Sequence, residues 1–341
     1  MSAPPTGVAA GLVSAAEAFM AGPEPSYPGF VLLAARRGAV LAHEARGWAV
    51  SHGGARVPMA RDTVFDIASL SKLFTATVAV CLAERGAFAL DEPVWRGVTA
   101  KALLTHTSGL PAVIDLGPYP DDAARLAAID ALPLTPGRRV YSDLGFIVLG
   151  TVLERVAGRP LDALVAELVT GPLGMTDTGY RPGPAVHHRV AATEDQPWTG
   201  RGVVRGTVHD ENAYHLGGVA GHAGLFSTAR DLAVLAGTVL DGGWYGPVRI
   251  LGEAWTRRMT REGLGWQPGP RDWMGALASP AASGHTGFTG TSLLVDPVTG
   301  VVLVLLTNRV HPTRARGRDG AYRRAVADAL AAALAPAGPE G

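Results

Sequence analysis

Cysteine and lysine are nearly missing from this chain. Its single cysteine, Cys81, excludes an intramolecular disulfide framework and any cysteine-rich zinc site. Net charge is missing as well: thirty basic residues balance thirty acidic ones, and only 18% of the residues are charged. No global field therefore draws nucleic acid or an anionic membrane. The longest apolar runs fall well short of the roughly 20 residues that span a bilayer. The N-terminus has no Lys/Arg-rich start, and Glu17 interrupts its apolar stretch. It reads as an amphipathic helix over residues 7–20 rather than an export signal, which predicts a cytoplasmic protein. What the chain does have is 341 residues with a 47% hydrophobic composition, enough for a large buried core.

The shortage of lysine is informative. Of thirty basic residues only two, Lys72 and Lys101, are lysines. In a chain rich in Ala, Gly and Arg, arginine serves wherever a permanent cation suffices. A retained lysine marks a place that needs what arginine cannot do, which is to lose its proton near neutral pH.

Gly29–Arg36 and Ala39–Val50 read as strands joined by a tight turn at Arg37-Gly38. A short extended run, Thr63–Ala68, leads into a long helix from about Ser69 to Arg85, with Leu73, Phe74, Thr77, Val78 and Cys81 at helical spacing. Helical patterns follow at Ala100–Leu104, Asp121–Ala131, Leu144–Ala157 and Pro160–Leu168. Residues 180–225 carry few periodic apolar positions and read as irregular chain that wraps a site. A helix over Thr228–Leu240, with Ser227 or Thr228 as its cap, precedes strands at Gly263–Gln267, His285–Asp296 and Gly300–Arg309. The last two are joined by the Pro297–Gly300 turn, and a helix over Tyr322–Leu334 closes the chain. The pattern predicts an α/β (α+β) fold. One antiparallel sheet of about five strands from both chain ends is flanked by helices (residues 1–66 plus 226–341), with a mainly helical lobe inserted at 67–225.

Ser69-Leu-Ser-Lys72 is an S-x-x-K run at a helix start. Positions i and i+3 share a face, so the Ser69 hydroxyl and the Lys72 amine meet, and the helix N-terminus offers N–H groups to a developing oxyanion. Ser71, adjacent to Lys72, faces elsewhere. Tyr141-Ser142-Asp143 follows a Pro136-Gly137 turn and opens a helix. A tyrosine there can aim its phenol at Ser69 as a general base, while Ser142 or Asp143 caps the helix. Gly284-His-Thr-Gly287-Phe288 opens a strand whose small residues admit a substrate close to its edge. The Phe288 N–H then joins that of Ser69 as an oxyanion hole.

In this order and spacing, Ser69-x-x-Lys72, Tyr141-Ser-Asp143 and His285-Thr-Gly287 resemble the penicillin-recognising serine hydrolases. The likeness is strongest to the class C β-lactamase-type family, which also holds D,D-peptidases, D-aminopeptidases and esterases. Leu103–Leu110, Tyr141–Gly150 and Gly217–Ala229 resemble that family too, and the likeness runs over residues 28–335. It implies an α/β sandwich with a helical lobe and the site between them. Ser69 is then the acylated nucleophile, Lys72 its proton acceptor or relay, and Tyr141 the base and leaving-group acid, with Lys72 and Tyr141 titrating as a pair. Asp143, His285, Thr286, Gly287 and His222 fall on the substrate-binding side. Two residues depart from the family pattern: His285 stands where lysine is usual and Asp143 where asparagine is usual. An unperturbed imidazole is charged only below about pH 6.5, and a carboxylate repels a substrate carboxylate, so both departures disfavour β-lactam hydrolysis.

Competing signals are weak. His209, Asp210, His215 and His222 match no metal-ligand spacing, and no metal or other cofactor is expected. No G-x-S-x-G elbow occurs, and the Gly217–Gly224 run lacks the Gly-Lys-Ser/Thr of a phosphate loop. His106 reads as structural. Trp266 and Trp273 form either an acyl-group wall or core. The expected function is a metal-independent serine hydrolase that cleaves a small ester or amide. An esterase or D-amino-acid amidase/peptidase ranks above a D,D-carboxypeptidase, with β-lactamase lower and acyl transfer to an alcohol open. The rival from another class is a non-catalytic ligand-binding protein on the same fold. Oligomeric state is left open.

Overall fold

The computed structural model describes residues 6–135 and 137–335. The turn expected at Pro136-Gly137 begins on a residue outside them. The sheet follows from alternation. Strand β1 (Gly29–Arg36) sends Val31 and Leu33 to one face and Phe30, Leu32 and Ala34 to the other. Both faces are covered, so the strand reads as an unbroken apolar run. Strand β2 (Ala39–His52) returns antiparallel after Arg37 (φ +48°) and Gly38 (φ +78°), the left-handed pair that a two-residue hairpin requires. Strand β3 (Ala55–Pro58) forms one edge. From the far end of the chain come β4 (Gln267–Pro268), β5 (Ser283–Thr286), β6 (Ser292–Asp296) and β7 (Val301–Thr307).

The sheet order is β4-β5-β6-β7-β1-β2-β3, antiparallel throughout, with β1 beside β7 and Phe30 opposite Thr307. It has seven strands rather than about five, for two reasons. The chain after Val50 turns at Gly53-Gly54 and pairs back on β2. The run read as one strand, His285–Asp296, folds over at Gly287–Thr291, where the Gly287 N–H donates to the Thr291 carbonyl (2.8 Å) and Gly290 adopts φ +110°.

Ten α-helices are described: α1 (Thr6–Glu17), α2 (Ser71–Glu84), α3 (Ala100–Leu104), α4 (Asp122–Asp130), α5 (Asp143–Ala157), α6 (Leu161–Val165), α7 (Glu211–His215), α8 (Ala229–Leu240), α9 (Glu253–Arg261) and α10 (Ala321–Leu334). Thr228, not Ser227, caps α8, and Ser142 caps α5 through the Gly145 N–H. Helices α1 and α10 cover one sheet face, where Leu12, Tyr322 and Val326 meet Phe30, Leu32 and Leu305. The other face meets α2, α5 and α8 in the larger core. Helix α2 is buried along its length, from Ser71 to Ala83, so whatever polar group it carries inward must find partners there. Trp266 belongs to that core and forms no acyl wall, while Trp273 packs beside α10's apolar face and bonds Gln267. Residues 180–225, expected to be irregular, hold α7 and short strand pairs. No described helix is long and apolar enough to cross a membrane.

Candidate active site

Ser69 stands on a forced turn. The short strand Phe65–Asp66 pairs with Leu225–Ser227, and the Ile67 N–H donates to the Leu225 carbonyl (3.0 Å). The next residue, Ala68, adopts φ +47°, a left-handed conformation that an alanine reaches only when its surroundings impose it. The constraint is Asp66. Its buried carboxylate accepts the Ala68 N–H (2.8 Å) through one oxygen and the His209 N–H (2.6 Å) through the other. Ser69 then lies in a single 3₁₀ turn, Ala68–Leu70, just ahead of α2. Ser71 takes no part, since its buried Oγ accepts the Leu225 N–H at 3.1 Å. Sequence reading missed Asp66, because a lone aspartate before a motif carries no periodic signal.

Lys72 is 0% exposed, and its ammonium is fully used. It donates to Ser69 Oγ (2.9 Å), Asp143 Oδ1 (2.7 Å) and the His222 carbonyl (3.0 Å). A carboxylate and a carbonyl only accept, so two of these bonds are donated by the amine, while the Ser69 hydroxyl accepts from an ammonium or donates to a neutral amine. Burial opposes that charge, but Tyr141 and Asp143 outweigh it and hold Lys72 above its ordinary value. Burial likewise works against the Asp143 carboxylate, yet Lys72 and His222 hold it below the usual range. In that charged state Lys72 donates to Ser69 in the resting site. The other lysine, Lys101, is a surface cation paired with Glu262 at 2.8 Å.

The His285-Thr-Gly287 segment reaches Ser69 because Gly287 has no side chain. A Cβ there would lie 2.1 Å from Thr291 Oγ1 and 2.6 Å from the Ile67 carbonyl. Two threonines fasten the contact, Thr289 donating to the Asp66 carbonyl (2.8 Å) and Thr291 to that of Ile67 (3.1 Å). The backbone N–H groups of Ser69 and Phe288 have no hydrogen-bond partner among the described residues, and both residues line one cleft. Gly287→Ala is expected to push β5 away from Ile67. Turnover should fall about 100-fold, as a displacement near 1 Å costs, and stability by about 1–3 kcal/mol from overpacking. Steady-state kinetics and thermal denaturation check this, and wild-type turnover in a folded variant would place the Phe288 N–H outside the reaction.

His285 is buried and donates from Nδ1 to the Thr286 carbonyl (2.7 Å), which leaves Nε2 as an unpartnered acceptor. Burial, then the Lys72 ammonium, push its pKa down to about 3, so it is neutral at pH 7 and carries no charge with which to anchor an anion. Thr286 lines the cleft beside it. His222, expected on the substrate side, is instead enclosed behind Lys72. Its carbonyl holds the ammonium and its Nε2–H donates to Asp210 (2.9 Å). The glycine run around it serves close packing: Gly221 lies so near α5 that a Cβ would meet the Phe146 carbonyl at 2.0 Å. Tyr141 is 41% exposed at the cleft mouth, its ring 6.0 Å from that of His285.

The cleft encloses about 720 Å³. Its far wall was not foreseen from the sequence: Arg309, Arg314, Arg318 and Arg323, from the chain after β7 and the start of α10. Arg314 pairs with Glu194 and Glu211, whereas the other three face no carboxylate within bonding range among the described residues. Arg309 donates to the Phe288 carbonyl (2.6 Å) and Arg323 to that of Gly287 (2.9 Å). Arg318 reaches only the Arg314 carbonyl, at 3.4 Å. The segment 180–225, read as wrapping a site, contributes His209, Asp210, Glu211 and Ala223 to its lining.

Comparison with known proteins gives a consistent picture. The model of a family described as Beta-lactamase matches residues 12–328. A putative D-alanyl-D-alanine carboxypeptidase of Escherichia coli O157:H7 is 32% identical over 351 aligned positions, covering 84% of this chain and 80% of the relative. One from Salmonella paratyphi A is 30% identical, with 84% and 80% covered. Among solved structures, EstCE1, described as a hydrolase with promiscuous acyltransferase activity, superposes with a TM-score of 0.76 at 24% identity, over 95% of this chain and 98% of that one. A class C beta lactamase from Rhodobacter sphaeroides does so at 0.74 and 22%, over 97% and 100%. At these identities the two structures speak for the fold.

Proposed function

The chain belongs to the beta-lactamase family of serine hydrolases, and from that premise we propose that it cleaves a small amide or ester through an acyl-enzyme on Ser69. One observation carries the reading: the Ser69 hydroxyl lies 2.9 Å from a buried ammonium, and two uncommitted N–H groups line the same cleft. With the Lys72 pKa held above its ordinary value, the amine is charged and the Ser69 proton leaves toward another base. Tyr141 is that base. In acylation, Ser69 Oγ bonds the carbonyl carbon as its proton passes to the Tyr141 oxygen, which acts as the phenoxide. The carbonyl oxygen becomes an oxyanion between the Ser69 and Phe288 N–H groups. Collapse breaks the bond to the leaving group, which takes the proton from Tyr141. Water then gives a proton to Tyr141 as it attacks the acyl carbon; collapse breaks the acyl–Oγ bond, Tyr141 returns that proton to Ser69 Oγ, and the acid product leaves. Lys72 stays charged, lowering the cost of the alkoxide and of the Tyr141 anion.

The arginine wall favours a finer reading, in which the substrate carries a carboxylate on the side of the 287–291 turn. His285 is neutral and Asp143 repels an anion, so Arg318, backed by Arg309 and Arg323, supplies the attraction. Such a substrate is a peptide with a free C-terminus, in keeping with what the carboxypeptidase relatives are named for. The test compares N-acetyl-D-alanyl-D-alanine with its C-terminal amide and with a short-chain p-nitrophenyl ester, while intact mass reports acylation. The free acid should show a KM at least about tenfold below the amide, the worth of a single charge-assisted hydrogen bond, and Arg318→Gln should erase the difference. Equal KM values with a mass increment on Ser69 would remove the carboxylate reading and keep the acyl-enzyme. No increment with any donor in a folded protein would favour a ligand-binding protein.

A further inference from the structure

The mechanism leaves one buried titratable group beside Tyr141 unused. His106, in the loop after α3, adopts φ +61°, a conformation a histidine rarely takes. Its N–H donates to the Leu103 carbonyl (3.3 Å), and its other two bonds lead to the neighbours of one tyrosine. Its carbonyl accepts the Val140 N–H (3.0 Å) and its ring Nδ1 accepts the Ser142 N–H (3.1 Å), so one residue grips the peptide on both sides of Tyr141. The ring also lies against the phenol, with centroids 4.5 Å apart, and is backed by Phe146 at 5.2 Å. Tyr141 itself is 41% exposed, and the Lys72 ammonium lies 5.0 Å from the centroid of its ring.

We propose that His106 is the positioning residue of Tyr141, effective only in the tautomer that leaves Nδ1 free to accept the Ser142 N–H. The proposal rests on the reading of Tyr141 as the base. Strain at a residue next to the reacting groups fits such a role, since the left-handed backbone brings carbonyl and ring around the tyrosine together. The charged and titratable groups that face His106 are Lys72 on α2, Arg139 before the turn, Asp143 on α5, and His285 on β5. Burial, then Lys72 and Arg139, push its pKa down to about 4, so it is neutral through the working range. Below that value Nδ1 gains a proton and opposes a second donor, the Ser142 N–H. The bond then breaks and Tyr141 is released. Asp143 is held below the usual carboxylate range and His285 is pushed down to about 3, so it is the non-titrating His106→Asn variant that assigns an acid limb to His106.

Three variants test it with a short-chain p-nitrophenyl ester, product being quantified by chromatography from pH 3 to 8. His106→Phe keeps the ring against Tyr141 but removes the acceptor. Its kcat should fall about 100-fold, as for a displaced catalytic group, with KM little changed. His106→Asn keeps an acceptor at the same reach, tolerates the left-handed backbone and does not titrate. It should recover most of the turnover and lose the wild-type acid limb near pH 4. Tyr141→Phe is the control. If that variant retains full turnover, the base reading fails. If it is inactive while His106→Phe turns over like wild type, only the positioning role is overturned. An unchanged acid limb in His106→Asn overturns it as well, and that profile decides should the phenylalanine variant fail to fold.

Discussion

Ser69→Ala is expected to abolish the acyl-enzyme and to lower turnover by roughly 10⁴-fold or more, the loss seen when a nucleophile is removed from a catalytic group that acts as a unit. No neighbouring hydroxyl can replace it. Ser71 Oγ is bound to the Leu225 N–H, and Ser142 Oγ donates to the Pro111 carbonyl (2.6 Å) while accepting the Gly145 N–H. The residual rate measures what the two N–H groups achieve with water alone. Stability should hardly change, because Lys72 keeps its carboxylate and its carbonyl after losing one hydroxyl acceptor. Intact mass after incubation with a p-nitrophenyl ester, together with a melting curve, gives both answers. A mass increment that survives the substitution would move the nucleophile elsewhere.

Lys72→Arg should be nearly as damaging, although it preserves the charge. The ammonium is a point donor with hydrogens directed at Ser69, Asp143 and His222, in a space with no exposed surface. A planar guanidinium is longer and presents its donors in a fork, so it cannot satisfy three convergent acceptors from the same backbone position. Acylation should drop about 1,000-fold, within the range of losing a positioned proton-handling group. The melting temperature should fall too, because an overpacked and partly unsatisfied charge sits in the core. Near-normal acylation would show that only the net charge of Lys72 matters.

Much of this was legible before the fold was known. Apolar alternation placed β1, β2 and β7, and the three short motifs converge as their spacing implied. Spacing does not carry protonation. The choice between a basic and a charged Lys72 hangs on the 2.7 Å contact to Asp143, a residue 71 positions away. The arginine wall escaped for a different reason. In a chain that uses arginine for 28 of its 30 basic residues, four more after a strand look like background. The split of His285–Asp296 was written in Gly287 and Gly290, but only the contact with Ile67 explains why the chain must fold over there. His106 looked structural because nothing in its sequence surroundings points 35 positions ahead to Tyr141.

The placement of β1 against β7 has a consequence for synthesis. Gly29 donates its N–H to Asn308, 279 positions along the chain. The middle of the sheet therefore lacks β7 until the chain has grown 279 positions beyond Gly29. At ordinary elongation rates β1 waits on the order of tens of seconds with one edge and two apolar faces uncovered, while the helical segments that follow it have already emerged. The first hairpin is thus the part of the nascent chain most open to pairing with another copy, and β7 and α10 act as the clasp that ends this exposure. Yield in a cell should be governed by how well that interval is guarded.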